Sequence, residues 1–218
     1  MPVYLPVTLA LESATALVAG GGSVGERRAL TLLEAGFEVV LVSPSISSTL
    51  SSFANSGELI HVEECYSSSA IAGKALVVAA TNVREVNRQI GEDAHKQSIP
   101  VNVVDSPEES SFLFPATVRR GDLFISVTTV GESPALSSAI RDELALQFGQ
   151  EYDDFGKLLG ELRVYLKGNV PDLVQRRKAM ASVVAHRNEL LSLISNSGTT
   201  RAKARAHEIV VHELAKII

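Results

Sequence analysis

The chain has 218 residues, 45% of them apolar and 21% charged, which is enough to bury a core in one large domain or two small ones. It contains no tryptophan, 5% aromatic residues and a net charge of −5, and this composition argues against a nucleic-acid-binding surface. One cysteine excludes a disulfide within the chain, no apolar run has membrane-spanning length, and the start lacks the basic region of a signal peptide, so we expect a cytoplasmic protein with no membrane contact.

Strand and helix patterns alternate over the first 105 residues, which predicts a Rossmann-like, doubly wound parallel sheet of the α/β class. The predicted strands span 14–19, 37–42, 59–62, 74–80 and 100–104. The predicted helices between them span 24–35, 47–55 and 83–97.

A glycine-rich turn joins the first predicted strand to the first predicted helix. Gly20, Gly22 and Gly25 match the pattern G-x-G-x-x-G. In that pattern the first glycine allows a tight turn, the second lets a pyrophosphate approach the backbone, and the third lets the helix pack on the strand. The N–H groups at the helix start then face the phosphates. We therefore predict a dinucleotide site whose first residues are Gly20, Gly21, Gly22, Ser23, Val24 and Gly25.

The residues after the second and fourth strands bear on which dinucleotide binds. Ser43, followed by Pro44, stands where an acidic residue usually holds the ribose of NAD. A serine can bond either a ribose hydroxyl or a 2′-phosphate, and no arginine follows, so NAD is favoured and NADP stays open. Thr81 and Asn82 are expected to contact the cofactor, to cap the next helix, or both.

The pattern changes after residue 105. Two strands at 111–118 and 123–128, joined by residues 119–122, predict a β-hairpin. Ser133 and Pro134 begin a helix that runs to about Phe148. The rest is helical with breaks near 168–171 and 195–200, and it ends in an amphipathic helix from Thr200 to Ile218.

The charge is distributed unevenly. Residues 1–118 carry a net charge of −7 and residues 119–218 a net charge of +2. The basic second half is either a solvated helical surface or a wall that attracts an anionic ligand.

Four segments together resemble one known family: VAGGGSVGERRALTLLEAG at 18–36, AATNVREVN at 79–87, VNVVDSPEESSFLFPATVRRGDLFISVTTVGESPALS at 101–137, and IRDEL at 140–144. They are similar to the dehydrogenase module of siroheme synthase, also found alone as precorrin-2 dehydrogenase. The resemblance spans about residues 1–150. It implies a homodimer in which NAD takes a hydride from precorrin-2, an anionic tetrapyrrole, to give sirohydrochlorin. In some members ferrous iron is then inserted as a second substrate.

The resemblance also implies roles for particular residues. Asp105 matches the family's acidic residue after NVV and would act as general base, although spacing alone favours a cap on the turn at 106–108. Asn102 is expected to be structural or to lie near the nicotinamide. The expected contacts to substrate are Thr128, Thr129, Gly131, Arg119, Arg120 and Arg141, with Arg163 and Lys167 as further basic candidates.

The match departs from the family at two glycine positions, and it leaves other functions open. Val130 replaces a common glycine, and Gly25 replaces the usual alanine. The histidines show no metal-ligand spacing, so no resident metal is expected. Three parts follow: an NAD-binding domain at 1–110, a β-hairpin/helix dimerisation region at 111–149 and a C-terminal helical, substrate-binding domain at 150–218. The competing hypotheses are an NAD-sensing regulatory module and a dimerising module without catalysis.

Overall fold

The structure, a computed structural model, describes residues 4–10 and 13–216. It divides into two compact units that meet in sequence between Phe114 and Pro115. Unit 1 is the part up to Phe114, and unit 2 is the part from Pro115 onward. The division lies four residues after the first predicted boundary, at 110, and no second division appears at 149. The roles assigned to the three predicted parts stay predictions.

Unit 1 contains a five-stranded parallel sheet in the order β3-β2-β1-β4-β5. The strands are β1 (Thr15–Ala19), β2 (Glu38–Val42), β3 (Leu59–Val62), β4 (Leu76–Ala79) and β5 (Val101–Val103). The helices are α1 (Ser23–Glu34), α2 (Ser48–Asn55) and α3 (Arg84–Lys96), with 3-10 turns at Ser68–Ile71 and Pro107–Glu109 that the sequence patterns do not predict. The predicted doubly wound α/β fold is confirmed.

Alternating side chains of β1 enter two separate apolar clusters. Ala16 and Val18 pack with α1 and α2, including Leu50, whereas Leu17 packs with α3, including Ile90. All five of these side chains are fully buried. The sheet is therefore covered on both faces, which explains why its strands are nearly continuous apolar runs.

The segment after β5 differs from its predicted form. The predicted strand at 111–118 is wrong in its first half, because β6 spans Ala116–Arg120. Instead, the amide of Val101 donates to Ser111 Oγ (2.8 Å) and the amide of Val103 to Ser110 Oγ (2.9 Å). The amide of Ser111 donates to Val101 O (2.8 Å). Two serine side chains thus satisfy an edge that would otherwise need another strand.

Unit 2 begins with the antiparallel hairpin of β6 and β7 (Leu123–Val127). Its two-residue turn begins at Gly121, where φ is +56° and an added Cβ would lie 2.1 Å from Asp153 Oδ1. The predicted hairpin is confirmed, and glycine is required at its turn.

Five helices follow the hairpin: α4 (Pro134–Gln147), α5 (Glu151–Asn169), α6 (Leu173–Ala185), α7 (Arg187–Ser197) and α8 (Thr199–Ala215). Their core is a cluster contributed mainly by α5 to α8, and its largest fully buried side chains are Leu166 and Leu190. The break at His186 was not predicted, and Ile218 of the predicted last helix lies outside the described residues. Within the described ranges, no helix combines the length and the apolar character that crossing a membrane requires.

Candidate functional site

A cleft of about 680 Å³ opens at the carboxyl edge of the parallel sheet in unit 1. Its walls come from the turns that follow β1, β2, β3 and β4, and its size lies within the range of small-ligand sites. Eight of the predicted cofactor-binding residues line it: Gly20, Gly21, Gly22, Ser23, Ser43, Pro44, Thr81 and Asn82. Val24, Gly25 and Asn102, also predicted to contact the cofactor, do not line it.

Two glycines of the turn after β1, Gly20 and Gly25, have no room for a side chain. Gly20 has φ of +112°, and its added Cβ would lie 2.2 Å from Ala80 O. A Cβ on Gly25 would lie 1.9 Å from Gly20 O, so the predicted close packing of helix on strand depends on glycine here.

Gly22 lies at the N-cap of α1 and has open space around it. An added Cβ there would have no atom within 4 Å, and its backbone conformation is extended (φ −76°, ψ −179°). The first amides of a helix have no partner within the helix and carry its positive dipole end. This cradle fits the pyrophosphate of a dinucleotide, as the sequence pattern predicts.

Ser43 braces the glycine turn. It is 7% exposed, and its hydroxyl donates to Ser45 O (2.8 Å) and accepts from the amide of Gly21 (3.0 Å). Nε2 of His61 lies 2.9 Å from Ser43 O and donates to it, which fixes the end of β2 further. The Ser43 hydroxyl has no donor left for a ribose or phosphate oxygen, and one lone pair remains.

Asn87, which the sequence analysis did not select, fixes the turn after β4. Its side-chain oxygen accepts from the amide of Thr81 (2.9 Å) and from Thr81 Oγ1 (2.7 Å), and its Nδ2 donates to Thr81 O (2.9 Å). The N-cap of α3 is Val83, whose amide donates to Thr81 Oγ1 (3.2 Å). Thr81 therefore shapes the cleft wall from just outside the helix, and Asn82 lies exposed beside it.

The loop after β3 also reaches the cleft, although its serine-rich sequence gives no signal for this. It contributes Glu64, Cys65 and Tyr66 to the lining. The Tyr66 hydroxyl donates to Asp93 Oδ2 of α3 (3.1 Å), as does Ser68 Oγ (2.6 Å). Burial first, and then the charge of Asp93, raises the pKa of Tyr66. The Ser68 hydrogen bond contributes most to lowering the pKa of Asp93, which keeps this anchor charged.

Asp105 lies just past β5, beside the strand whose end lines the cleft. Val103 pairs with Ala79, and the amide of Val104 donates to Ala79 O (3.0 Å). Asp105 is exposed and has a φ of +61°, a left-handed conformation that aspartate tolerates better than most residues. Within the described part of the chain, no hydrogen bond or ion pair holds its carboxylate.

The turn at 106–108 is held by other residues, so the alternative role of Asp105 as its cap is wrong. Ser106 is buried, and its hydroxyl donates to Glu108 Oε1 (2.7 Å) and accepts from Arg84 (3.2 Å). Arg84 also binds Glu109 through two hydrogen bonds (2.6 and 2.7 Å), and this contact lowers the pKa of Glu109. The loop is thereby fastened to α3 while the carboxylate of Asp105 is left available.

Asn102 is structural in this conformation. It is buried, and its Nδ2 donates to Phe112 O (3.1 Å). Phe114, two residues further on, lies under the guanidinium of Arg28, whose Cζ is 4.2 Å from the ring centroid. Burial, followed by the charge of Arg27, lowers the pKa of Arg28 to about 10. These contacts tie the segment after Ser111 to β5 and α1, and a contact of Asn102 with a cofactor stays a prediction.

The threonines predicted to bind substrate order the loop before α4 in unit 2. Thr128 Oγ1 accepts from the amide of Val130 (3.0 Å), and Thr129 Oγ1 accepts from the amide of Ser133 (3.0 Å). Val130 and Gly131 both have positive φ, +58° and +88°. A β-branched residue is rarely found in this conformation, so the loop is strained at Val130.

The arginines predicted to bind substrate are held by their own unit to different degrees. Arg120 donates to Phe148 O (2.8 Å), Ala145 O (3.2 Å) and Arg119 O (2.9 Å), so it caps the carboxyl end of α4. Arg119 stacks on Phe124, with its Cζ 4.9 Å from the ring centroid. Arg141 forms an ion pair of 2.7 Å with the neighbouring Asp142. Substrate contacts by these residues stay predictions, and all three guanidinium nitrogens of Arg120 already donate to backbone carbonyls.

Among residues 4–10 and 13–216, no group of three or more histidine, cysteine, aspartate and glutamate side chains is arranged to hold a metal ion.

Comparison with known proteins supports the interpretation of the cleft as a dinucleotide-binding site. A family model described as "Putative NAD(P)-binding" matches residues 7–116. Siroheme synthase 1 of Aeromonas salmonicida is 34% identical over 175 residues, 80% of this chain and 37% of that protein. Siroheme synthase 2 of the same organism is 33% identical over 219 residues, 95% of this chain and 45% of that protein. The chain thus spans less than half the length of these curated relatives.

A solved structure of SirC, precorrin-2 dehydrogenase, has the same fold. It superposes with a TM-score of 0.71 at 23% identity and covers 98% of this chain and 100% of that chain. Together these matches confirm the resemblance identified from the sequence motifs, and the family match supports the predicted cofactor, NAD.

Proposed function

Since the chain belongs to a family of NAD(P)-binding proteins, we propose that it is an NAD-dependent dehydrogenase that converts precorrin-2 to sirohydrochlorin. The observation that carries the proposal is the pairing of a glycine-lined cleft with an available carboxylate on the next strand end. The cleft lies at the ends of β1, β2 and β4, and Asp105 follows β5 at the same edge of the sheet. Parallel sheets place their catalytic and cofactor-binding groups at this edge.

On this proposal, the cofactor lies between two walls of the cleft. The amides around Gly22 hold the pyrophosphate, and the turns at Ser43 and Thr81 flank it. NAD, when bound, supplies an acceptor for the hydride. The described lining includes the carboxylates of Glu26 and Glu64 and no lysine, arginine or histidine. Because a 2′-phosphate would meet negative charge there, this lining favours NAD over NADP.

Asp105 takes the proton that leaves precorrin-2 as the ring is oxidised. Its carboxylate is exposed and has no partner among the described residues, so it can accept a proton without first breaking an ion pair. The fastening of the neighbouring turn by Arg84, Ser106 and Glu109 limits the movement of the loop that carries it. A general base must reach the proton in a fixed geometry, which this arrangement supports.

The anionic tetrapyrrole is held, on this proposal, by unit 2. Thr128, Thr129 and Gly131 precede the N-terminus of α4. Arg119, on β6, and Arg141, on α4, are basic residues of the same unit. Helix N-termini and guanidinium groups are both suited to carboxylates.

The proposal is tested by incubating the purified protein anaerobically with precorrin-2 and NAD. We expect sirohydrochlorin and NADH to form together, and we expect NADP to support the reaction poorly. If no NADH forms with a verified substrate, the proposed dehydrogenase activity would be overturned. The alternative of an NAD-sensing module would then be favoured, because that function needs NAD binding but no turnover.

Two further expectations come from the resemblance. If the protein also inserts ferrous iron, sirohydrochlorin will become siroheme faster with the protein than without it, and equal rates would remove this activity. If it is a homodimer, light scattering will give twice the mass of one 23.2 kDa chain. A monomeric mass would contradict the dimer without affecting the cofactor site. The cytoplasmic location expected from the sequence stays a prediction.

A further inference from the structure

The end of β2 carries no carboxylate for the adenosine ribose. In many dinucleotide-binding folds an acidic side chain at this point accepts hydrogen bonds from the ribose hydroxyls. Here Ser43 stands in that place, and its hydroxyl is committed to Ser45 O and to the amide of Gly21. A serine that is 7% exposed and already donating cannot replace a carboxylate.

Glu64 reaches the same place from the neighbouring strand. Val62 pairs with Val42, and Val62 O accepts from the amides of Ser43 (3.1 Å) and Glu64 (2.9 Å). Glu64 therefore leaves β3 directly beside the end of β2. Its side chain is exposed, lines the cleft, and has no hydrogen-bond or ion-pair partner within the part of the chain that the structure describes.

The other carboxylate of the cleft is already engaged. Glu26 lies in the first turn of α1, and its carboxylate accepts from Ser47 Oγ. Ser47 is in turn the N-cap of α2, where it accepts from the amide of Leu50 (3.2 Å). Glu26 thus joins two helix starts, and Glu64 is the carboxylate of the described lining that stays available.

We propose that Glu64 accepts hydrogen bonds from the adenosine ribose hydroxyls of NAD and excludes a 2′-phosphate. The acidic group for the ribose comes from the end of β3, while the residue at the end of β2 braces the glycine turn. The inference rests on the proposed cofactor and adds the residue that selects it. A carboxylate has two acceptor oxygens for two hydroxyl donors, and its charge repels a phosphate at the same position.

The test measures dissociation constants for NAD and NADP by isothermal titration calorimetry, so it needs no turnover. Glu64→Gln removes the charge, and Glu64→Lys reverses it. The matched controls are Glu63→Gln and Glu63→Lys, because Glu63 is an exposed neighbour that does not line the cleft. All four changes lie at exposed positions, and unchanged thermal unfolding verifies the fold.

We expect Glu64→Gln to weaken NAD binding about tenfold. We also expect it to reduce the ratio of NADP to NAD dissociation constants. Glu64→Lys should improve NADP binding by at least about tenfold, with little effect from either change at Glu63. Equal effects at Glu63 and Glu64 would overturn the inference, since a general charge effect would then suffice. A wild-type protein that binds neither dinucleotide would overturn it together with the proposed cofactor. Intact NAD binding without dehydrogenase activity would remove the proposed reaction alone.

Discussion

Asp105 is the residue on which the proposed chemistry depends. We expect Asp105→Asn to leave NAD affinity unchanged and to lower turnover by about 100-fold or more, the usual scale for a lost general base. Calorimetry gives the first value, and the anaerobic assay gives the second. Glu108→Gln is the matched control, because Glu108 is an exposed acid three residues away that accepts from Ser106. Turnover that survives in Asp105→Asn would remove Asp105 from the mechanism.

Val130 holds a strained backbone in the loop before α4. Because φ is +58° at this β-branched residue, Val130→Gly should raise the free energy of unfolding by about 1 kcal/mol, the strain relieved less the flexibility gained. Chemical denaturation measures the change. Gly131→Ala is the converse variant and should destabilise, since φ is +88° there. A loss of stability in Val130→Gly would show that the valine side chain contributes more by packing than its backbone costs.

At the scale of elements, two glycines in the turn from β1 to α1 have different roles. We expect Gly25 to be needed for the fold and Gly22 to be needed for cofactor binding. Gly25→Ala places a Cβ 1.9 Å from Gly20 O, whereas Gly22→Ala meets nothing within 4 Å. We therefore expect Gly25→Ala to lower the melting temperature and Gly22→Ala to leave it unchanged while reducing NAD affinity about tenfold or more. Differential scanning calorimetry and titration on the two variants give both quantities. Normal NAD affinity in Gly22→Ala would mean that no phosphate lies against this backbone.

The edge of β5 depends on serine hydroxyls rather than on a strand. Ser111→Ala leaves the amide of Val101 without its 2.8 Å acceptor, and a partly buried donor left unpaired costs about 1–2 kcal/mol of stability. Ser52→Ala is the control, since Ser52 is exposed on α2 and its hydroxyl bonds only to a carbonyl one turn back. Equal unfolding free energies in the two variants would contradict the role of Ser111.

Local patterns predict those elements whose signal is itself local. The alternation of apolar runs with helical periods is enough for the five strands and three helices of unit 1, with ends shifted by one or two residues. The predicted strand from Ser111 fails because its serines bond back to β5, a contact at a distance that no periodicity records. The sequence also gives no signal for the helix break at His186, because neither glycine nor proline marks it.

At the scale of the whole molecule, the sequence predicts the position of the site better than the contacts within it. A glycine turn after a strand points to the cleft because its mechanism is contained in adjacent residues. The occupied hydroxyl of Ser43, the backbone capping by Arg120 and the approach of Glu64 depend on which segments meet in space. Residue types alone therefore do not show that Ser43 and Arg120 are already hydrogen-bonded within the chain, and they do not indicate that Glu64 lines the cleft.

The dehydrogenase proposal is tested most directly by the molar ratio of NADH to sirohydrochlorin during anaerobic turnover of precorrin-2. Two electrons leave the substrate as one hydride, so the account predicts equal amounts of both products, at rates that rise with protein concentration. Sirohydrochlorin that accumulates without NADH, or at a rate independent of the protein, would contradict it.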